Sequence, residues 1–586
     1  MFSSLSSEQR EIVFEKIGRS VVRACPGSGK TYSLAARLAY RISKWDRKCQ
    51  GIAAISFTNV AWKEIEKQLN EKFEIRIPVQ YPHFLGTIDS FVNKFIFLPY
   101  GHLIMGCSRR PILVGEPHGT WAGGKYERDY NRYFDAVSFN AEDIAIRTKS
   151  PTQYHFKWFN KDGSESGHVK HLKDMKYAFW KQGFATQSDA NYISTKILES
   201  YPAVAKSIVQ RFPELMIDEA QDTSDVQMKI IDCLLNHGLE HILMIGDPDQ
   251  AIYEWNDAKP ELFIEKYALW KENSVVLNEN RRSSRNICNF TYRLSSLDSP
   301  SVAVNENVKE CQLQPTIVTY NADNLQHTID DFLRLCIQHQ IDINREKIAV
   351  LYRSKGFYNQ IIGIDGAIKQ EDPWLPGKMF TREFAKGKYL YDRKHFKDGY
   401  KMIERAIHKA LSGNNYCSEN DIADRISEEG FLKYRKRILD ILQLLPKTNA
   451  DLMSWINQAN QNFKINGIKI KLEVDSSFGG LTFEQLFETA ELYAEHLEYR
   501  LGTVHTAKGE TFDAVLLFLK KKAGQKSYYS TYIKNNTSIT ICEELRIVYV
   551  GITRPRKLLV LAVPDETDKK AWEKKLIGID QGESSL

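Results

Sequence analysis

A chain of 586 residues is too long for one hydrophobic core, so length alone predicts three or four domains. With 42% hydrophobic and 26% charged residues, the composition excludes a disordered or fibrous chain and describes a globular one. A net charge of +6 excludes a uniformly basic nucleic-acid coat but leaves room for a local basic groove.

The chain opens "MFSSLSSEQREIV", which has neither the basic flank nor the apolar stretch of a secretory signal. No apolar run reaches the ~18 residues of a membrane span, so a cytoplasmic protein without membrane contact is expected. The cysteines are dispersed with no CxxC pair, which argues against a disulfide framework, a zinc ribbon or an iron–sulfur cluster. They are expected to be buried free thiols.

In chain order, apolar β-branched runs predict buried parallel strands at "SVVRAC" (20–25), "GIAAISF" (51–57), "LMID" (215–218), "HILMIG" (241–246), "KIAVLY" (347–352), "AVLLFL" (514–519) and "KLLVLAV" (557–563). Helical periodicity follows several of them, as in "TYSLAARLAYRISK" and "AWKEIEKQLNEKF". Strands alternating with helices predict an α/β fold, and their grouping before about residue 280 and after about 345 predicts two parallel sheets. Two stretches break the rhythm. Residues 97–200 include "HFKWFNKDGSESGHVKH", whose "KDGS" predicts a hairpin turn. Residues 366–496 are mostly amphipathic helix, and both stretches read as insertions.

"ACPGSGKT" (24–31) follows a predicted strand and opens a predicted helix. It has Ala24 where the GxxxxGK[ST] pattern has its first glycine. Gly27 and Gly29 allow backbone N–H groups to curl around phosphate oxygens, with Pro26 and Ser28 completing the loop. Lys30 would reach the β- and γ-phosphates and Thr31 would ligate magnesium. "LMIDEAQD" supplies the second half of such a site: Asp218 to hold the metal and Glu219 to polarise water. These residues predict an NTPase using Mg2+.

With "LSSEQ" (5–9), "ISFTNVAWKEI" (55–65), "GTIDSF" (86–91), "GDPDQAIYEW" (246–255), "NENRRSS" (278–284), "VLYRS" (350–354), "VHTAKGETFDAV" (504–515) and "YVGITRPRKLL" (549–559), the chain resembles the superfamily 1A DNA helicases of the UvrD/Rep/PcrA kind over nearly its whole length. The resemblance implies two RecA-like parallel-sheet P-loop domains, each with an inserted subdomain. They are domain 1A at 1–96 and 201–282 with insertion 1B at 97–200, and domain 2A at 283–365 and 497–575 with the mainly helical insertion 2B at 366–496. Residues 576–586 would form a tail.

The same resemblance implies that the nucleotide is ATP, that Gln9 reads the adenine edge, that Gln250 senses the γ-phosphate, and that Arg282 and Arg554 stabilise charge on the transferring phosphoryl group. It implies that Phe57, Tyr253 and Trp255 stack on bases, a sequence-tolerant grip worth ~1–3 kcal/mol per base. Thr58, Asn59, Thr87, Arg353 and His505 would hold the strand by its backbone or relay the grip.

Departures from the pattern are local. The family's adenine-sandwiching arginine and tyrosine are exchanged here as Tyr32 and Arg281, and both side-chain types stack on a purine. Asn256-Asp257 stands where the family has Arg-Gly, and "AKGETF" moves the family's ribose-binding glutamate to Glu510. The stretch after Arg554 is too short for a fused RecB-type nuclease domain, and the 2B insertion is compact. In both respects the chain also resembles, loosely, the helicase-like subunit of Gabija-type antiphage systems. The expected function is a 3′→5′ DNA helicase or translocase in DNA repair or antiphage defence. The alternative is a DNA-sensing ATPase subunit that regulates a partner nuclease and unwinds little.

Overall fold

The computed structural model describes the chain apart from residues 1, 77, 115–136, 140–143, 147–159, 161, 163, 255–256, 323, 354–356, 358–360, 362–372, 376, 414–416, 418, 479, 488–496, 521–527 and 579–586. By internal contacts it divides into two units, Met1–Phe357 with Glu498–Leu586, and Tyr358–Leu497.

The first unit is built on two parallel sheets. One contains β1 (Arg19–Ala24), β2 (Ile52–Ser56), β3 (Phe84–Thr87), β4 (Glu214–Asp218), β5 (His241–Gly246) and β6 (Val275–Leu277), in the order β6-β1-β5-β4-β2-β3. The other contains β7 (Thr316–Thr319), β8 (Ile348–Tyr352), β9 (Arg500–Thr503), β10 (Phe512–Phe518) and β11 (Pro555–Val563), in the order β7-β11-β10-β8-β9. Every pairing in both sheets is parallel. Two parallel sheets covered by helices are the architecture of tandem RecA-like domains.

Alternation along each strand divides the first sheet's core in two, because successive side chains point to opposite faces. Val22, Ala24, Ala54, Met216 and Ile245 meet Leu34 and Leu38 of α1 (Lys30–Ser43) and Ile65 and Leu69 of α2 (Asn59–Phe73). Val21, Ile55, Ile217 and Met244 meet Phe91, Phe179, Trp180 and Ile193 on the other face. The helices Gly167–Lys181 and Gln187–Ser200, within the first interruption, therefore share this sheet's core. In the second sheet, Leu351, Val515, Leu517 and Leu559 pack with Leu545, Val548 and Ile552 of α3 (Glu543–Ile552).

The second unit is helical. Helices Phe380–Asp392, Phe396–Ser412, Phe431–Leu444 and Leu452–Ile465 bury Phe384, Ile403, Ile438 and Trp455 in a core of their own.

Two expectations change. Asn160 N–H donates to Ser164 O at 2.8 Å, but helix begins at Gly167 where the second hairpin arm was expected, and Lys161 and Gly163 of "KDGS" lie outside the described residues. Apolar Val169, Leu172 and Met175 recur at helical spacing and are buried, so the period of 3.6 prevails over the turn signal. The first arm lies outside the described residues. None of the nine cysteines forms a disulfide, but Cys49 is exposed and Cys311 only partly buried. No helix among the described residues is long and apolar enough to cross a membrane.

Candidate active site between the two sheets

The glycine loop lies between β1 and α1. Gly27 and Gly29 have φ of +73° and +80°, the left-handed region that glycine enters without steric cost. A Cβ on Gly27 would lie 2.7 Å from both Arg282 Cβ and Asn280 Oδ1, so the close approach excludes alanine as well. Ala24, Pro26 and Ser28 are buried, and Ser28 Oγ closes the turn onto Cys25 O at 2.8 Å. The chain just after β6 is tied to the loop, with Arg281 N donating to Gly27 O at 2.9 Å.

Thr31 Oγ1 donates to Asp218 Oδ2 at 3.0 Å. The other oxygen, Asp218 Oδ1, is buried and has no hydrogen-bond partner among the described residues. Burial, then the Glu219 charge, pushes the Asp218 carboxyl up to about 7, although Lys30 opposes the shift. Such an orphaned carboxylate oxygen beside a threonine hydroxyl fits a hard oxygen-seeking cation such as Mg2+. No cluster of three or more His, Cys, Asp or Glu arranged for a metal occurs among the described residues. Thr31 and Asp218 would therefore need the nucleotide and water to complete a coordination shell.

Glu219 has φ +52° and ψ 40°, a left-handed conformation rare for a residue with a Cβ and found where structure over-determines the backbone. Gln221 Nε2 donates to Glu219 Oε2 at 2.6 Å, and Gln221 Oε1 accepts from Asp247 N at 3.0 Å. This side chain fixes β4's acids relative to the turn after β5. Burial pushes Asp222 and Asp247 each up to about 6, against the pull of Lys508 and Lys30 respectively.

The second sheet supplies cations to this acidic floor. Arg554, at the end of α3, is buried and donates through Nη2 to Gln250 Oε1 at 2.8 Å. Gln250 Nε2 in turn donates to Asp247 Oδ2 at 2.5 Å. Burial lowers the Arg554 pKa to about 10, with Glu219 and Asp247 opposing. Arg282 donates to Thr553 O at 3.0 Å and is pushed down by burial and by neighbouring Arg554 and Arg556. Two guanidinium groups held against their own repulsion suit a site that receives phosphate charge.

Gln9, Tyr32 and Arg281 converge on one side of the loop. A Cβ on Gly29 would meet Gln9 Nε2 at 3.2 Å, Tyr32 Cβ at 3.8 Å and Arg281 Cδ at 4.0 Å. Gln9 Oε1 accepts from Ser6 N at 3.2 Å, Tyr32 Oη lies 3.1 Å from Ser4 Oγ, and Arg281 pairs with Glu279 at 2.6 Å. Glu510 lies apart from this group, paired with Arg500 at 3.4 Å and close enough to act on the Arg554 charge.

On the expected DNA side, the rings of Phe57 and Tyr253 lie 5.6 Å apart and inclined at 30°, so they pack on each other. Lys508 Nζ sits 4.5 Å from the Tyr253 ring centre, and the His505 ring 6.3 Å away. Phe57 and Tyr253 are both partly buried, and their rings form a tilted pair. Thr58 caps α2 by accepting from Ala61 N at 3.2 Å, and Thr87 accepts from Ser90 N at 3.0 Å. Asn59 Oδ1 accepts from Trp62 Nε1 at 3.1 Å. Arg353 is held bidentate by Glu544, at 3.0 and 2.8 Å, so its charge is already matched. Trp255 lies outside the described residues.

Sequence reasoning missed Lys508 and Arg546. Lys508 makes a buried ion pair with Asp222 at 2.6 Å, joining the second sheet's domain to the "DEAQD" turn. Arg546 interrupts the apolar run of "LRIVYVGI" and is fully buried. That was its signal, since an arginine inside an apolar helix needs a partner.

A glycine loop and Arg282 at one sheet, facing Arg554 from the second, define a P-loop ATPase built from two RecA-like domains. Residues 5–108 and 124–269 match the family model of the UvrD/REP helicase N-terminal domain, and residues 449–566 match that of the UvrD-like helicase C-terminal domain. The chain belongs to the UvrD-like superfamily 1 helicases and is an ATP-dependent DNA helicase. It is 24% identical to DNA helicase II of Haemophilus influenzae over 645 aligned positions, covering 98% of this chain and 86% of that one. It is 21% identical to ATP-dependent DNA helicase PcrA of Staphylococcus aureus, covering 96% and 83%. A shorter match, 29% identical over 208 residues, links 30% of the chain to 17% of an ATP-dependent helicase/nuclease subunit from Streptococcus pneumoniae.

Proposed function

We propose that the protein is a cytoplasmic motor that moves 3′→5′ along single-stranded DNA, in DNA repair or antiphage defence. The Arg554–Gln250 bond of 2.8 Å carries this reading, because it ties the second sheet's domain to the acidic floor beside the glycine loop. In this reading 1–96 with 201–282, and 283–365 with 497–575, are the two RecA-like domains, and 97–200 and 366–496 their insertions.

Lys30 and the loop amides hold the phosphates of ATP, and Thr31 and Asp218 hold magnesium. Glu219 polarises the attacking water, Gln250 senses the γ-phosphate, and Arg282 and Arg554 offset charge spreading over the transferring group. Bound magnesium would supply positive charge to the phosphate oxygens. Glu510 contacts the ribose. Phe57, Tyr253 and Trp255 contact bases, with Thr58, Asn59, Thr87, Arg353 and His505 behind them. Phe57 and Tyr253 follow two strands of the first sheet, β2 and β5, so both would contact DNA from that domain.

Gln9, Tyr32 and Arg281 receive the adenine. Tyr32→Ala and Arg281→Ala are each expected to raise the KM for ATP about two- to fivefold, the scale of an exposed cation–π contact, with little change in kcat. An unchanged KM in both variants would remove the sandwich.

The partial match to a helicase/nuclease protein favours one second reading: a DNA-sensing ATPase that regulates a partner nuclease. Unwinding assays on duplexes with 3′ or 5′ single-stranded tails separate the two. ATP-dependent strand separation from 3′ tails alone supports the motor. ATPase stimulation without strand separation supports the sensor, and unwinding from 5′ tails alone overturns the assigned direction.

A further inference from the structure

Successive residues of Gln250–Glu254 each touch the second sheet's domain. Gln250 is held by Arg554 at 2.8 Å, Ala251 O by Arg546 Nε at 2.7 Å, and Ile252 O by His505 Nε2 at 3.2 Å. The Tyr253 ring lies under Lys508, and Glu254 N donates to Glu543 Oε1 at 3.0 Å. Arg546 grips this segment twice, through Ala251 O and through an ion pair with the Glu254 carboxylate. Its Nη1 is spent on the carbonyls of Ile539 and Thr540, both at 2.9 Å. A fully buried guanidinium is tolerated only when its N–H fork is satisfied, and this one is satisfied in part by the segment it grips and in part by the Ile539 and Thr540 carbonyls.

Arg546 lies within α3, and Arg554 lies just past its C-terminal end in the turn that leads into β11. Arg554 holds Gln250 beside the acids, and Arg546 holds the next residue's carbonyl and the carboxylate after Tyr253. We infer that Arg546 is a positioning residue that couples the two ends of this segment, so that a shift of Tyr253 and its neighbours on DNA binding is passed to the Gln250–Arg554 pair. Arg546 touches neither the phosphate-facing groups nor the rings themselves. Its contribution is to keep Gln250 and Tyr253 at a fixed offset from α3. The inference rests on the motor reading, in which Gln250 faces ATP and Tyr253 faces DNA.

The test uses the full-length chain and compares ATP hydrolysis with and without oligothymidylate. Arg546→Lys keeps a charge but loses the planar fork. Glu254→Gln removes the ion pair from a side chain that is 42% exposed, so folding is spared even if the lysine variant is unstable. Both are expected to keep basal hydrolysis within about threefold while the stimulation ratio falls by about tenfold, within the ~5–150-fold range of allosteric couplings. Restoring the pair in reverse, with Glu254→Arg combined with Arg546→Glu, is expected not to rescue, because Ala251 O then loses its donor. A wild-type stimulation ratio in Glu254→Gln, or basal and stimulated rates falling in parallel in both single variants, overturns the inference. Absence of stimulation in the wild-type protein would instead overturn the motor reading beneath it.

Discussion

Replacing Arg554 with alanine is expected to lower kcat for ATP hydrolysis by ~10³-fold or more, the scale of an arginine finger, while KM changes far less. The side chain comes from the second sheet's domain yet is buried against Gln250, and Glu219 and Asp247 act on its charge. A cation so placed meets charge that is greatest in the transition state, so its loss falls on kcat. Arg554→Lys should recover only part of the rate, because one ammonium cannot donate both to Gln250 and to a phosphate in the guanidinium geometry. Steady-state kinetics of both variants decide this. A loss below about tenfold in Arg554→Ala would assign the residue to domain packing.

Asp218→Asn is expected to move activity and stability in opposite directions. Hydrolysis should fall by ~10²-fold or more, as expected when a site loses the carboxylate that organises phosphoryl transfer. Stability of the nucleotide-free protein in chelator-treated buffer should rise. The Asp218 carboxyl is buried, one oxygen lacks a partner, and its pKa rises from the ordinary 3.8 to about 7. A folded-state pKa raised above the unfolded value gives stability that is complete below about pH 4 and lost as pH rises through 7. At pH 8 the wild-type site therefore holds an uncompensated charge that asparagine removes. The Tm gain of the variant should be on the order of a few degrees at pH 8, be smaller at pH 5 and shrink towards zero near pH 4. Asp222 and Asp247, raised to about 6, act in the same direction and are unchanged by the substitution. A lower Tm for Asp218→Asn at pH 8 would contradict the charge argument.

The strands legible in the sequence are the inner strands of both sheets: β1, β2, β4 and β5 in the first, and β8, β10 and β11 in the second. Inner parallel strands are covered on both faces, so "AAIS" and "VLLF" read as unbroken apolar runs. The strands not anticipated, β3, β6, β7 and β9, are the edges. Edge strands such as "FLGT", "TIVT" and "RLGT" are short and partly exposed, and their composition does not separate them from loop.

The phosphate side of the site is legible because its residues are contiguous: a loop between strand and helix, and an acid pair ending a strand. The partners that cross between sheets are not. Arg546, Lys508 and the Arg353–Glu544 pair are set by tertiary contacts across long sequence separations, which no local pattern records. The same limit explains the aromatics. Phe57 and Tyr253 read in sequence as stacking surfaces, and their pairing with each other at 5.6 Å is a contact between segments far apart in the chain.

The central claim is that the site between the sheets hydrolyses ATP under the control of DNA held by the same segment that ends at Glu254. The most direct measurement is steady-state ATP hydrolysis by the wild-type protein with saturating single-stranded DNA and with none. A rise of about tenfold or more in kcat is predicted, in the range of ordinary inter-site coupling. Equal rates in the two conditions, from protein that hydrolyses ATP, would contradict it.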